Sequence, residues 1–214
     1  MLSWKLALQN KLFVQKLILS FLFLGLVLYF FAWFLNYIEQ RQGHVFYDPV
    51  LNFLHPRDVS DFIFYTTYGA AFIGLCYAFV NPYRTLHICQ MYTLLTICRI
   101  ITLFIFPLDP PTNIIPLKDS ILENTFYNHV GGNVKDLFFS GHTATLFLFF
   151  FFTKHQTLKW FFFTCAIAVA VFVVIQHIHY SYDVIVAPLF AYFCYKMISR
   201  HSKLYESNNI AALE

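Results

Sequence analysis

The chain has 214 residues, of which 59% are hydrophobic, 21% aromatic and only 12% charged, with a formal net charge of +3. An ordinary soluble domain carries about 25% charged residues, so a soluble fold of this length would lack the polar surface to cover its core. The balance excludes a disordered chain, a nucleic-acid binder with a large basic face and almost any soluble enzyme. It leaves an integral membrane protein. No repeat, low-complexity tract or linker divides residues 1–214, which are read as a single membrane domain.

Six stretches approach the ~20 residues that a helix needs to cross a bilayer. In chain order they are Leu17 to Leu35, Phe62 to Val80, Thr85 to Phe106, Leu137 to Thr153, Trp160 to Ile175 and Tyr180 to Tyr195. The first is too long for a signal-peptide core and lacks a small-residue cleavage site, so it reads as a retained anchor. The third, fourth and sixth contain Arg99, His142 and Asp183, and ionisable residues within a span are a functional signal. The expected fold is an all-α polytopic bundle of six transmembrane helices.

Six spans put both termini on one side. That side would hold Lys5, Lys11, Lys16, Arg84, Lys154, Lys159, Lys196, Arg200 and Lys203 in short segments, against Arg41, Arg57, Lys118 and Lys135 opposite. The excess of positive charge then places both termini, including a tail over 199–214, in the cytoplasm. The loops at about 36–61 and 107–136 would face outward. With that orientation, Arg99 near the end of the third span falls at the same outer interface as His142, His179 and Asp183 at the starts of the fourth and sixth.

The run from Asp136 to Thr143 opens a helix. Ser140 is placed to cap it, Gly141 lets a ligand approach the backbone, and the first-turn amides make an anion cradle. His142 stands there as a proton donor, or as an incidental interfacial histidine beside a Ser cap. His179 and Asp183 are four apart, on one helical face. A carboxylate on one imidazole nitrogen fixes the tautomer and supports attack by the other; the alternative is a helix-capping pair. Arg99 is either a partner for an acidic residue or a guanidinium clamp on phosphate oxygens. Lys135 is a helper at the same phosphate or a solvated loop lysine, and His177 a second phosphate donor if the helix start is irregular. The nine histidines include His87, His129, His155 and His201 scattered over both faces, without metal-ligand spacing, so no metal is expected. The five cysteines lie in apolar runs without a C-x-x-C pair and read as small buried apolar residues.

Leu137-Phe138-Phe139-Ser140-Gly141-His142-Thr143 resembles the S-G-H-T motif of the sphingomyelin synthases, and His177-Ile178-His179-Tyr180-Ser181-Tyr182-Asp183-Val184 resembles that family's H-x-H-Y-T-x-D-V motif. Cys98-Arg99-Ile100-Ile101-Thr102, with the later Pro107-Leu108-Asp109-Pro110, resembles its Y-R-x-I-T segment and Pro-rich turn. The resemblance covers residues 95–195. The wider relatives are lipid phosphate phosphatases of the type 2 phosphatidic acid phosphatase superfamily, whose K-x6-R-P element and S-R before the last histidine are missing here. Two positions depart from the synthase pattern: its C-G-D is Val134-Lys135-Asp136, and the Thr of H-Y-T is Ser181.

The resemblance implies six spans, an outward-facing site and a phosphotransferase moving a phospho-alcohol headgroup from a membrane phospholipid to a lipid alcohol such as ceramide. It implies that His179 attacks phosphorus, Asp183 orients it, His142 protonates the departing diacylglycerol, and Arg99, Ser140 and the Gly141 amide hold the phosphoryl oxygens. No cofactor is implied. A hydrolase using the same site is the second expectation, and a non-enzymatic lipid-binding or transport protein the third. The headgroup (choline, ethanolamine or inositol) and the acceptor stay open.

Overall fold

A computed structural model describes residues 4–118 and 133–211, with side chains described as far as residue 200. His129, residues 119–132 of the second long loop and the last three residues of the expected tail lie outside the described residues. The described chain is helical: α1 (Trp4–Ala7), α2 (Lys11–Glu39), α3 (Pro49–Phe53), α4 (Ser60–Phe79), α5 (Pro82–Ile105), α6 (Gly141–Phe152), α7 (Gln156–Ile175) and α8 (Ser181–Ala211). Among these residues the sole β-type pairing is a bridge between His44 and Leu108.

Local chemistry sets the boundaries. The Asn10 side chain accepts from the Phe13 amide and starts α2. Asn81-Pro82 ends the path of α4 and opens α5: Asn81 accepts from the Tyr83 and Arg84 amides, while Pro82 stands where a helix needs no amide donor. Asp48-Pro49 repeats the device at α3.

Four helices, α2, α4, α5 and α7, are long and apolar enough to cross a membrane. The fourth expected span is shorter as a helix, since residues 137–140 approach it in non-helical backbone and α6 begins at Gly141. Its 12 residues rise about 18 Å, less than a ~30 Å hydrocarbon core. The sixth expected span is the first part of α8, which contains Pro188 and continues as helix to Ala211 across the expected tail.

α6 is the hub. It packs most extensively on α8 and α7 and also touches α4 and α5, with Ala144, Leu146 and Leu148 almost wholly buried. Gly74 of α4 lets that helix approach α6: a Cβ there would come within 2.5 Å of the Phe149 ring. α2 stands at the periphery on α5, held by Phe31, Phe34, Leu35 and Ile38 against Leu103. Its other face exposes Leu19, Leu22, Leu26 and Tyr29, as a lipid-facing helix does. The cysteines are all free. Cys89 and Cys194 are buried, Cys98 and Cys165 are partly covered, and Cys76 differs from expectation in being exposed on the outer face of α4.

The end carrying the α2 C-terminus and the α4, α6 and α8 N-termini is stitched by loops. His44 and Leu108 pair there, with the His44 amide donating to Pro107 (2.9 Å) and the Asp109 amide to His44 (3.1 Å). Gln176, fully buried after α7, accepts from the Val59 amide (3.1 Å) and donates to Ser60 Oγ (2.8 Å) and Ile115 O (3.2 Å). One side chain thus satisfies three loop groups, which a buried amide must do to avoid a desolvation penalty.

Candidate active site

Five of the residues singled out in the sequence meet at this end. Arg99, two turns before the end of α5, Gly141 and His142 at the start of α6, and His179 just before α8 all line one cavity of about 410 Å³. Asp183 stands behind His179, with Oδ2 3.4 Å from His179 Nδ1 and only 1% of its surface exposed. That separation is within ion-pair reach but outside hydrogen-bond geometry, and Nδ1 makes no hydrogen bond.

Asp183 faces both His179 and the start of its own helix. α8 begins at Ser181, so His179 precedes the helix rather than riding on it. Tyr180 occupies the cap position, and Asp183 reaches back to accept its amide at 3.0 Å. This is the reciprocal half of a capping box. The same Oδ2 oxygen faces His179, so the cap fixes the carboxylate where the imidazole needs it.

Arg99 has an acidic partner, one of the two alternatives read for it. Its Nη2 pairs with Asp136, its Cζ lies 5.2 Å from the Phe31 ring centroid, and its Nε is buried without a hydrogen bond. The guanidinium is therefore fixed by a carboxylate and a ring while it still faces the cavity. Gly141 makes this position accessible: a Cβ on Gly141 would lie 2.2 Å from Arg99 Nη1. The glycine predicted to admit a ligand in fact admits the arginine.

The remaining predicted residues stand outside the cavity wall. Ser140 occupies the cap position of α6, but its hydroxyl bonds Thr143 Oγ1 (3.0 Å) rather than a first-turn amide. Its own amide donates to Asp183 O (3.3 Å), which joins α6 to α8 at the site. Lys135 pairs with Asp109 (2.8 Å) and donates to Arg41 O (2.5 Å). That bond, with the Gly43 amide, holds the Asp109 carboxyl below its ordinary range. His177 is buried beside the site with φ 59°, and neither ring nitrogen makes a hydrogen bond. Among the described residues, no three His, Cys, Asp or Glu side chains cluster as metal ligands would.

Two supporting carboxylates were missed from the sequence. Asp48, 3% exposed, accepts from the Val50 and Leu51 amides through Oδ1 (2.9 and 3.3 Å) and from the Ser181 amide through Oδ2 (2.6 Å). It caps α3 and α8 at once. Glu39, the last residue of α2, accepts from the Val134 and Lys135 amides, each at 3.1 Å. The Tyr180 hydroxyl adds a third tie, accepting from the Phe46 amide (3.2 Å) and donating to Asp109 O (2.9 Å). The only local signal was Asp48 before Pro49; nothing in sequence links it to a residue 133 positions away.

Residues 135–201 match the family described as PAP2 superfamily C-terminal. The match supports a relationship to the type 2 phosphatidic acid phosphatase superfamily, and with it phosphatase- or phosphotransferase-type chemistry on lipid phosphate esters. It takes in Ser140, Gly141, His142, His177, His179 and Asp183, and leaves out Arg99 and everything before it. No curated protein matches the chain.

Proposed function

We propose that this protein is a membrane lipid phosphotransferase of the sphingomyelin synthase-like branch. It moves a phospho-alcohol headgroup from a glycerophospholipid to a lipid alcohol such as ceramide through a phosphohistidine. The supporting observation is that His179 and His142 face one cavity with Arg99, while Asp183 stands 3.4 Å behind His179.

In this reading His179 uses its cavity-facing nitrogen to attack phosphorus, and the oxygen–phosphorus bond to diacylglycerol breaks. Asp183 stabilises the imidazolium that forms. His142 gives its proton to the departing diacylglycerol oxygen and then, as base, takes one from the incoming alcohol. Arg99 and the amides around Gly141 carry the negative charge spread over the phosphoryl oxygens. Lys135 and His177 act behind them: Lys135, held by Asp109, is the second cation on that side of the site, and His177 supplies a buried donor. The chain crosses the membrane six times, with α6 and α8 as the two least regular spans, both termini cytoplasmic and the site on the non-cytoplasmic side.

A hydrolase with the same first half-reaction is favoured by one observation, the match to a family related to lipid phosphatases. Two features favour a lipid alcohol over water. The cavity walls are largely apolar below the polar end, and loop residues Ile114, Pro116 and Leu117 lie over it. The deciding experiment uses purified protein in mixed micelles with a phospholipid, with and without a lipid alcohol. Transfer predicts diacylglycerol release that depends on the alcohol and yields a new phospholipid. Release of phospho-alcohol or phosphate at a rate indifferent to the alcohol overturns transfer in favour of hydrolysis.

A further inference from the structure

The cavity is far deeper than headgroup chemistry requires. It runs along α5 from Arg99 to Thr85, along α2 from Leu35 to Phe21 and along α4 from Thr67 to Phe79. At ~1.5 Å per residue, these three walls give depths of about 21, 21 and 18 Å. One leaflet's share of a ~30 Å hydrocarbon core is about 15 Å. Three independent walls therefore carry the cavity past the bilayer midplane.

Its chemistry changes with depth. The ionisable groups stand at one end, and below them the walls are mainly leucine, isoleucine and aromatic side chains. Two of the polar wall residues have committed hydroxyls: Thr96 donates to Tyr92 O (2.9 Å) and Thr85 to Ala78 O and Asn81 O (3.2 Å each). A largely apolar shaft under a charged mouth matches an amphiphile with one end polar and the other a hydrocarbon chain. The shaft is walled on one side by α2 and α4, which are not among the helix pairs that pack substantially on each other.

We propose that the shaft binds one hydrocarbon chain of a lipid and measures its length against a floor formed by Phe21, Phe79 and Thr85. The proposal rests on the reading that the charged end handles the lipid's phosphate. A chain too short leaves apolar wall unfilled and loses the free energy of burying those methylenes. A chain too long meets the floor, where α4 ends at Phe79 and the Asn81-Pro82 junction turns into α5. The site is thus a length filter, and its selectivity lies in α2, α4 and α5, outside the matched region.

The test measures thermal stabilisation of the full-length protein in dodecylmaltoside by phosphatidylcholines that share one fixed chain and vary in the other. Stabilisation is expected to rise with chain length to a limit and then to fall. Leu75→Trp places bulk one helical turn above the floor and should shorten that limit by about 6 Å. Phe79→Ala opens the floor and should lengthen it. Opposite shifts guard against a variant that merely folds poorly. A limit absent from the wild type, or unmoved in both variants, overturns the proposal. The parent reading fails separately: a movable length limit without turnover of any phospholipid leaves the filter standing and removes the transferase, whereas turnover without a length limit does the reverse.

Discussion

The two halves of the molecule contribute unlike things to one site. The C-terminal half, α6 to α8, brings His142, His179 and Asp183, and it is the half that matches a known family. The N-terminal half brings the Phe31 ring against Arg99, the Glu39 and Asp48 carboxylates on loop amides, and most of the apolar shaft. The C-terminal half supplies the groups to which the proposed function assigns bond making and breaking. The N-terminal half supplies walls and anchors from ordinary residue types, so it can diverge in sequence while holding the same geometry. Chemistry is therefore concentrated in a few motif positions, and positioning is spread over many unremarked ones.

The largest break in that comparison is His179→Ala. Removing the nucleophile should lower kcat by about 10⁴-fold or more, without loss of phospholipid binding measured by thermal stabilisation. Next comes Gly141→Ala, which tests the seam between the halves. The new Cβ would stand where Arg99 Nη1 is now, and displacing the guanidinium by an ångström or so should lower turnover by about 10²-fold. A rate near wild type for this variant would remove Arg99 from the account.

Asp48 sharpens the comparison from the other side. Asp48→Ala leaves three amides at two helix starts without their acceptor, and should destabilise the fold by about 1–3 kcal/mol, read by thermal unfolding. Asp48→Asn keeps an acceptor oxygen and should recover part of the loss. The smallest effect belongs to the loop pair of Asp58 and Lys118 (2.7 Å). Hydrogen bonds from Lys118 and Ser60 hold the Asp58 carboxyl down from 3.8 to about 2. Because the folded value is the lower one, this stabilisation is present above about pH 4 and is lost as pH falls toward 2. Both side chains are exposed, so solvent screening keeps its size small. Unfolding measured across that range in wild type and Asp58→Asn should converge at the acid end.

How much of this was legible in sequence follows from the same division. Hydropathy located the long apolar helices because a bilayer demands unbroken runs, and Arg99 and His142, polar residues within expected spans, line one cavity. Spacing suggested that His179 and Asp183 lie near each other, and they do, but through the cap at the start of α8 and not through a helical turn. Spacing alone did not foresee that His179 would lie before the helix, since the cap depends on Asp48 in a distant loop. Ser140 looked like a side-chain cap, but its hydroxyl bonds Thr143 while its amide donates to Asp183 O of α8. The role of Gly141 was half read: its missing Cβ matters, yet the group it admits comes from α5. The shaft left no motif at all, because leucines and phenylalanines that line a cavity have the same composition as those that face lipid.

The central claim is that His179 carries the phospho-alcohol between two lipids. The most direct measurement mixes purified protein with phospholipid labelled in its phosphate, quenches without acid and maps the label by mass. The account predicts an acid-labile phospho-alcohol adduct on His179, discharged by added lipid alcohol and absent from His179→Ala. Label on a different residue, or full turnover in His179→Ala, would contradict it.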